Sequence, residues 1–316
     1  LFPYTTLFRS ARLKKLGIFQ GELSPLDPVT EPGWNLSEEA LHKRVGENEV
    51  AHAVPWSTLT PGQKEFQAAK MSVHAAMIHR MDIEIGRVLA QLKAMNAYED
   101  TLIMFLSDNG ASAEIMVRGL GHDKAAPMGA AASYLCLGPG GSTVSNTPFR
   151  RHKIWVHEGG ISTPFIAHWP QGISARGELR HTPGHVIDVV PTLLALAGDT
   201  NPVMPDNAPA FPGRSLVPAF AKDETVSRDF LFWHHSGNRA LREGDWKIVS
   251  AADNGNAWEL YHLTTDRAES NNLAAKEPER VKAMAERWEK LEKEYVAQAG
   301  PKPEPKKKGK GKKAEE

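Results

Sequence analysis

The sequence predicts a mixed α/β fold followed by a small antiparallel sheet and a closing helix, on three observations. Apolar residues recur at three- and four-residue steps from Pro61 to about Asn96. Glu99 and Asp100 then lead into a short apolar run, Leu102 to Leu106, which stops abruptly at Ser107, Asp108, Asn109 and Gly110. After about residue 210 the pattern becomes short aromatic and β-branched runs between turn residues, and then one amphipathic helix.

Composition bounds what the chain can be. With 316 residues, 41% of them hydrophobic and 24% charged, there is apolar material for one large unit plus a smaller one. The 38 basic and 38 acidic side chains cancel, so no overall field argues for nucleic acid or a membrane surface. Cys136 is the one cysteine, which excludes an internal disulfide framework and a cysteine zinc cluster. No run reaches the roughly 18 consecutive apolar residues of a membrane span.

The first ten residues, LFPYTTLFRS, have neither an initiator methionine nor the charged start, apolar run and cleavage site of a signal peptide. They read as a sequencing or cloning scar, to be set aside from the fold. Leu16 to Thr60, rich in Pro, Gly and Trp, reads as a long irregular connection that either wraps the surface or forms a lid. The helix that follows carries Phe66, Ala69, Val73, Met77, Met81, Ile85, Val88 and Leu92 on one face. His74, His79 and Asp82 do not share a face with ligand geometry, and a solvated or capping role is expected for them.

The run TLIMFLSDNG, Thr101 to Gly110, reads as a buried strand that delivers a carboxylate and an amide to its C-terminal edge, where open α/β sheets place ligands. Helix followed by buried strand predicts half of a parallel βαβ unit. Glycines at 119, 121, 129, 138, 140 and 141 then punctuate a loop region. Its GPGG run lacks the spacing of a phosphate-binding loop and reads as a turn, and Cys136 before it as a small buried apolar residue.

In Asn146 to Pro170, Gly159 and Gly160 permit a tight turn, and Ile161 to His168 reads as another sheet strand. Arg150, Arg151, His152, Lys153, His157 and Glu158 stand just before that turn. They suit either an anionic ligand or an exposed charged loop, and the residues alone leave this open. His185 to Ala197 has helical spacing, with Asp188 and Pro191 in its first turns. Prolines 202, 205, 209, 212 and 218 mark the boundary before the smaller unit, whose closing helix puts Val281, Met284, Trp288, Leu291 and Tyr295 on one face. The expected organisation is therefore 1–10 as artefact, 11–210 as a partial α/β domain, 211–298 as an α+β subdomain and 299–316 as a disordered basic tail. That tail reads as an inert solubilising segment, with an arm for RNA or an anionic surface as its alternative.

Two motifs together carry a resemblance. SDNGASAE (Ser107 to Glu114) and KIWVHEGGISTPFIAHWP (Lys153 to Pro170), at this separation, resemble the second half of a bacterial arylsulfatase of the formylglycine-dependent sulfatase family. WKIV and WELYHLTTDRAESNNLA resemble that family's C-terminal subdomain. The resemblance implies an alkaline-phosphatase-like α/β core, one Ca2+ site and hydrolysis of a small-molecule or glycan sulfate ester, with no nucleic-acid partner. Asp108 and Asn109 would be metal ligands, Asn109 would also face substrate, and Lys153 would contact the sulfate and take part in catalysis. His122, in GLGHD, is a further catalytic candidate near the same edge. Export to the periplasm or medium is implied by the same likeness.

The chain also departs from the pattern. The family's nucleophile is a cysteine converted to formylglycine within C-x-P/A-x-R, whereas Cys136 is followed by Leu137, Gly138, Pro139 and Gly140. The formylglycine, the paired aspartates and the remaining basic residues are expected in a missing N-terminal part, which makes this chain a fragment inactive alone and prone to expose apolar sheet edges. A phosphatase or phosphonate hydrolase of the same superfamily, or a non-catalytic binding or structural protein, are the alternatives.

Overall fold

The computed structural model describes residues 2–27, 30–115, 122–199, 208–223 and 226–300, with the side chains of 2–8 left aside. Expectations for Gly119, Gly121, Pro202, Pro205 and the basic tail from 301 onward lie outside these residues. Helix α1 (Phe2–Lys15) runs through the stretch set aside as a scar, and Ser10 in it is buried while Arg9 donates to the Val144 carbonyl. The connection after it is less irregular than its composition predicts. Ser37 caps α2 (Glu38–Arg44), and Leu41 of that helix is buried with Val45, Ala51 and Ile115.

Helix α3 (Pro61–Ala94) starts where sequence physics puts it. Thr60 accepts from the Gln63 amide while the Gln63 side chain accepts from the Thr60 amide, and Pro61 fills the first turn. Its buried side chains are polar ones, Gln67 and Lys70, which both donate to Glu49 at 2.7 Å. Much of the apolar face stays open to solvent, with Met77 66% and Val88 61% exposed. The pattern did make a helix, but of its stripe Met77, Met81 and Val88 stay exposed while the rest is only half-buried.

Strand β1 (Ile103–Leu106) pairs with β2 (Phe165–His168) in a two-stranded antiparallel ribbon. The expected parallel βαβ unit and buried strand are thereby corrected. A ribbon of two strands has no inner strand to bury, so β1 is only half-buried and Phe105, Phe165 and Ile166 are exposed. Between these strands lie α4 (Gly138–Asn146) and α5 (Glu158–Ile161). GPGG is the first turn of α4 rather than a free turn: Gly138 takes φ +76°, and Pro139 sits where its missing N–H costs nothing. Cys136 is half-buried.

A single 3-10 turn at Val186–Asp188 opens α6 (Val189–Leu196), and α7 (Val217–Ala221) follows the proline-rich segment. Asp188 is fully buried there, and it accepts from the His185 and Arg214 amides and from Arg228.

The C-terminal unit is the meander the sequence predicts. Strands β3 (Leu231–His235), β4 (Asn238–Glu243), β5 (Trp246–Ser250) and β6 (Trp258–His262) are neighbours in chain order, all antiparallel. Period-two alternation gives its inner strands two different faces. Leu241, Ile248 and Leu260 stand in register and pack on Met284, Trp288 and Leu291 of α8 (Pro278–Ala299). The opposite face carries Ala240, Lys247, Val249, Glu259 and Tyr261, and it is turned toward the segment 150–163. Trp288 stacks on Phe232 at 5.3 Å and lies under the Arg239 guanidinium. Trp288→Ala is therefore expected to lower stability by about 3–5 kcal/mol, read as a lower midpoint in urea with the same slope.

Candidate functional site

The two motifs meet through their backbones. The Gly110 amide donates to the Gly160 carbonyl at 2.9 Å, and the Lys153 amide donates to the Ala111 carbonyl at 3.0 Å. Glycine is required for this approach: a Cβ on Gly110 would lie 1.8 Å from the Gly159 carbonyl oxygen, and one on Gly160 would lie 1.9 Å from that of Trp155. Thr163 also donates to the Ser107 carbonyl, so the end of β1 is tied to the turn that leads into β2.

The charged segment before that turn divides into two populations. Most of it faces inward and is paired, which overturns the exposed-loop reading for those residues. Arg150 forms a two-pronged bond with Asp27 and donates to the Tyr261 hydroxyl. Arg151 holds both Asp253 oxygens, at 2.9 and 2.8 Å. His157, with none of its surface exposed, lies 3.1 Å from Glu259 through Nε2. Burial holds its pKa below the ordinary value, so the ring stays neutral. His152 is likewise buried, and desolvation lowers its pKa to about 4.

Glu158 sits at the centre of the pairing. It lies 2.9 Å from the Lys247 ammonium and 3.1 Å from Arg267, and the same ammonium lies 2.8 Å from Glu269. Glu269 also accepts from the Glu158 amide at 2.7 Å. Burial raises the Glu158 carboxyl, but the Lys247 and Arg267 charges outweigh it and hold the pKa at about 2, below the ordinary 4.5. Lys247 is raised by the same reasoning: burial lowers it and the two carboxylates win.

Lys153 and Asp108 form the other population. Asp108 is exposed and Lys153 half-buried, and neither charge has an ion-pair partner among the described residues. Asn109 donates to the Gly110 carbonyl through Nδ2 at 2.9 Å, which leaves its amide oxygen as the atom able to accept a hydrogen bond or ligate a cation. The backbone around Lys153 is strained, because Arg151 has φ +65° and the β-branched Ile154 has φ +92°. Their carbonyls each receive a side-chain amide, Asn146 to Arg151 at 3.0 Å and Asn238 to Ile154 at 3.1 Å. Asn146, Asn238 and Lys247 were not singled out from the sequence. The available signal was Ser142 and Asn146 at helical spacing in GSTVSN, which reading GPGG as a turn concealed.

His122 accepts from the Tyr134 amide through Nδ1, and its Nε2 is buried without a partner among the described residues. No described contact joins it to Asp108 or Lys153.

Fold and site together define a mixed α/β protein in which a lysine-bearing turn is bonded through its backbone to the segment that follows an exposed Asp108. Comparison with known proteins narrows this. The family model described as Sulfatase matches residues 39–199, and that described as N-sulphoglucosamine sulphohydrolase, C-terminal, matches 150–297. The chain belongs to the sulfatase family. It is 31% identical over 255 residues to an uncharacterized sulfatase of Schizosaccharomyces pombe, covering 74% of this chain and 45% of that protein. Over 202 residues it is 33% identical to an arylsulfatase of Klebsiella aerogenes, covering 60% and 38%. A crystal structure of Ps i-CgsB in complex with k-i-k-neocarrahexaose superposes with a TM-score of 0.53 at 26% identity, over 69% of this chain and 42% of that one. The chain thus spans less than half the length of the curated relatives named here. The curated relatives named here carry the names sulfatase and arylsulfatase.

Lys247→Met would leave Glu158 and Glu269 buried without their ammonium, and is expected to lower stability by about 3–5 kcal/mol in chemical denaturation at neutral pH. The sign of the acid response follows from Glu158. Its folded-state pKa is depressed from 4.5 to about 2, so the stability it contributes is present above 4.5 and is lost as pH falls through that window. Denaturation midpoints measured on stepwise acidification should fall between those two values, and fall less in the Lys247→Met variant.

Proposed function

We propose that this chain carries part of the site of a sulfuric ester hydrolase of arylsulfatase type. The observation that carries the proposal is the division of charge: within a segment whose other charged side chains are paired, Lys153 has no ion-pair partner among the described residues, and its backbone amide is bonded to Ala111, three residues after Asp108, which likewise has none. Unpaired charge is costly to keep in a folded core and ordinary at a ligand edge.

The donor chemistry fits a hard divalent cation. A carboxylate at Asp108 and an amide oxygen at Asn109 are the ligand types calcium takes. Their number does not complete a centre, since calcium takes about six to eight oxygens, and among the described residues no group of three or more His, Cys, Asp or Glu is placed to hold a metal. A bound calcium would supply positive charge against the sulfate oxygens. Lys153 would neutralise a further sulfate oxygen, and Asn109 would orient the ester beside it. His122 is kept as a more distant candidate, its unpartnered Nε2 being the supporting observation.

The substrate class we favour is a glycan sulfate ester, because a solved relative was captured with a neocarrahexaose. Periplasmic or extracellular action accords with the family likeness, and no helix of the described residues is long and apolar enough to cross a membrane. No C-x-P/A-x-R motif occurs in these 316 residues, so they do not themselves carry the formylglycine that the family likeness implies.

Two expectations test this reading. Calorimetric titration of the chain should give a Ca2+ dissociation constant of about 10⁻³ M or weaker, and the chain should release no nitrocatechol from its sulfate ester. Tight calcium binding or turnover would overturn the incomplete-edge reading. In a longer chain that includes a C-x-P/A-x-R motif, Lys153→Ala should lower kcat/KM for sulfate esters by about 10²–10³-fold; an unchanged value would remove Lys153 from the site.

A further inference from the structure

Ala111 directly follows the Asp108–Asn109–Gly110 edge, and both of its backbone polar groups are engaged by helix α4. Its amide donates to Asn146 Oδ1 at 2.8 Å. Its carbonyl accepts from the Ser142 hydroxyl at 2.8 Å and from the Lys153 amide at 3.0 Å. The other end of the Asn146 amide donates to the Arg151 carbonyl at 3.0 Å. One side chain therefore bonds the edge that presents Asp108 and the turn that carries Lys153.

Ser142 repeats the arrangement one helical turn earlier. It is fully buried and also lies 2.8 Å from His152 Nδ1, next to Lys153 in the chain. Its hydroxyl proton serves the Ala111 carbonyl, so His152 must present Nδ1–H to the serine oxygen, which selects one tautomer of a buried neutral ring. The spacing of four residues puts Ser142 and Asn146 on one face of α4. That face bridges two segments separated by some forty residues of chain.

The strained backbone explains why such a bridge is needed. Arg151 and Ile154 have positive φ on either side of Lys153, a conformation that persists only where the surroundings hold it. Asn146 holds the Arg151 end and the Ala111 carbonyl holds the middle. Cutting these bonds would release the turn toward ordinary φ and move Lys153 away from the strand end.

We propose that Asn146, supported by Ser142, is a positioning residue that sets Lys153 against the Asp108–Asn109 edge. This rests on the reading of that edge as a cation- and sulfate-binding site. Neither residue touches the ligands: they act through the backbone of residues 111 and 151–153. The side chains at the front of the site can then remain unpaired while their register is fixed from behind.

The test uses the full chain and nuclear magnetic resonance, which detects weak binding. Amide hydrogen exchange is measured at Ala111 and Lys153, with Leu241 and Ile248 in the C-terminal sheet as internal controls. Calcium chloride and sodium sulfate are then titrated while the Asn109 and Gly110 signals are followed. Asn146→Ala should remove protection at Ala111 and Lys153, leave the sheet controls protected, and weaken the Ca2+ response by about tenfold. Asn146→Asp keeps an acceptor for the Ala111 amide but no donor for Arg151, so it should restore protection at Ala111 and not at Lys153. Should Asn146→Ala fail to fold, Ser142→Ala provides the same readout, with a smaller weakening expected.

Protection and Ca2+ response both unchanged in the folded variants would overturn the proposal. Loss of protection with an unchanged Ca2+ response would also overturn it, by reducing the bridge to packing. A different result, no Ca2+- or sulfate-dependent shift at Asn109 and Gly110 in the unsubstituted chain, would overturn the reading of the edge itself, and the positioning role with it.

Discussion

The arrangement depends first on one buried ammonium. Lys247 lies in the middle of an antiparallel sheet with none of its surface exposed, held between Glu158 and Glu269. A lysine there without partners would be a large destabilising burden, because neither desolvation nor deprotonation is cheap. Both carboxylates must therefore be delivered to it: Glu269 comes from the loop after β6, and Glu158 from the motif that also contains Lys153. Pairing one sheet residue thus fixes where the glycine turn lies, and through Gly110 and Ala111 it fixes the end of β1 as well.

The chemistry of the segment 150–160 follows from this division of labour. Arg150, Arg151, His157 and Glu158 are consumed by the C-terminal unit and its neighbours, and the glycines let two backbones approach more closely than any side chain allows. What remains unpaired is what the architecture leaves at the front.

Legibility in the sequence varied with how local the determining physics was. The apolar stripe from Phe66 to Leu92, the short aromatic and β-branched runs after residue 210 and the stripe on α8 are local signals, and each produced the element it predicts. The joint site of the SDNG and HEGG motifs was legible only through the family resemblance, since the glycines by themselves indicated no more than a tight turn. Strand direction was not: an apolar run after a helix says that a strand exists, and only its partner decides whether it is parallel or buried. The roles of Arg150 and Arg151 were also hidden, since their partners Asp27 and Asp253 are more than a hundred residues away and no spacing rule links them. Asn146 escaped for a different reason: an amide that bonds only backbone leaves no charge or motif to notice.

The open stripe on α3 has a consequence for how the chain comes apart. Opening a segment costs free energy roughly in proportion to the apolar surface it newly wets. Met77, Met81 and Val88 are already wet, so the middle of α3 can fray with little penalty beyond its own backbone bonds. The sheet and α8, in contrast, would have to uncover Leu241, Ile248, Leu260 and Trp288 together. The chain should thus contain two cooperative units of unequal protection, and a protease acting under native conditions would find the long helix well before it found the meander.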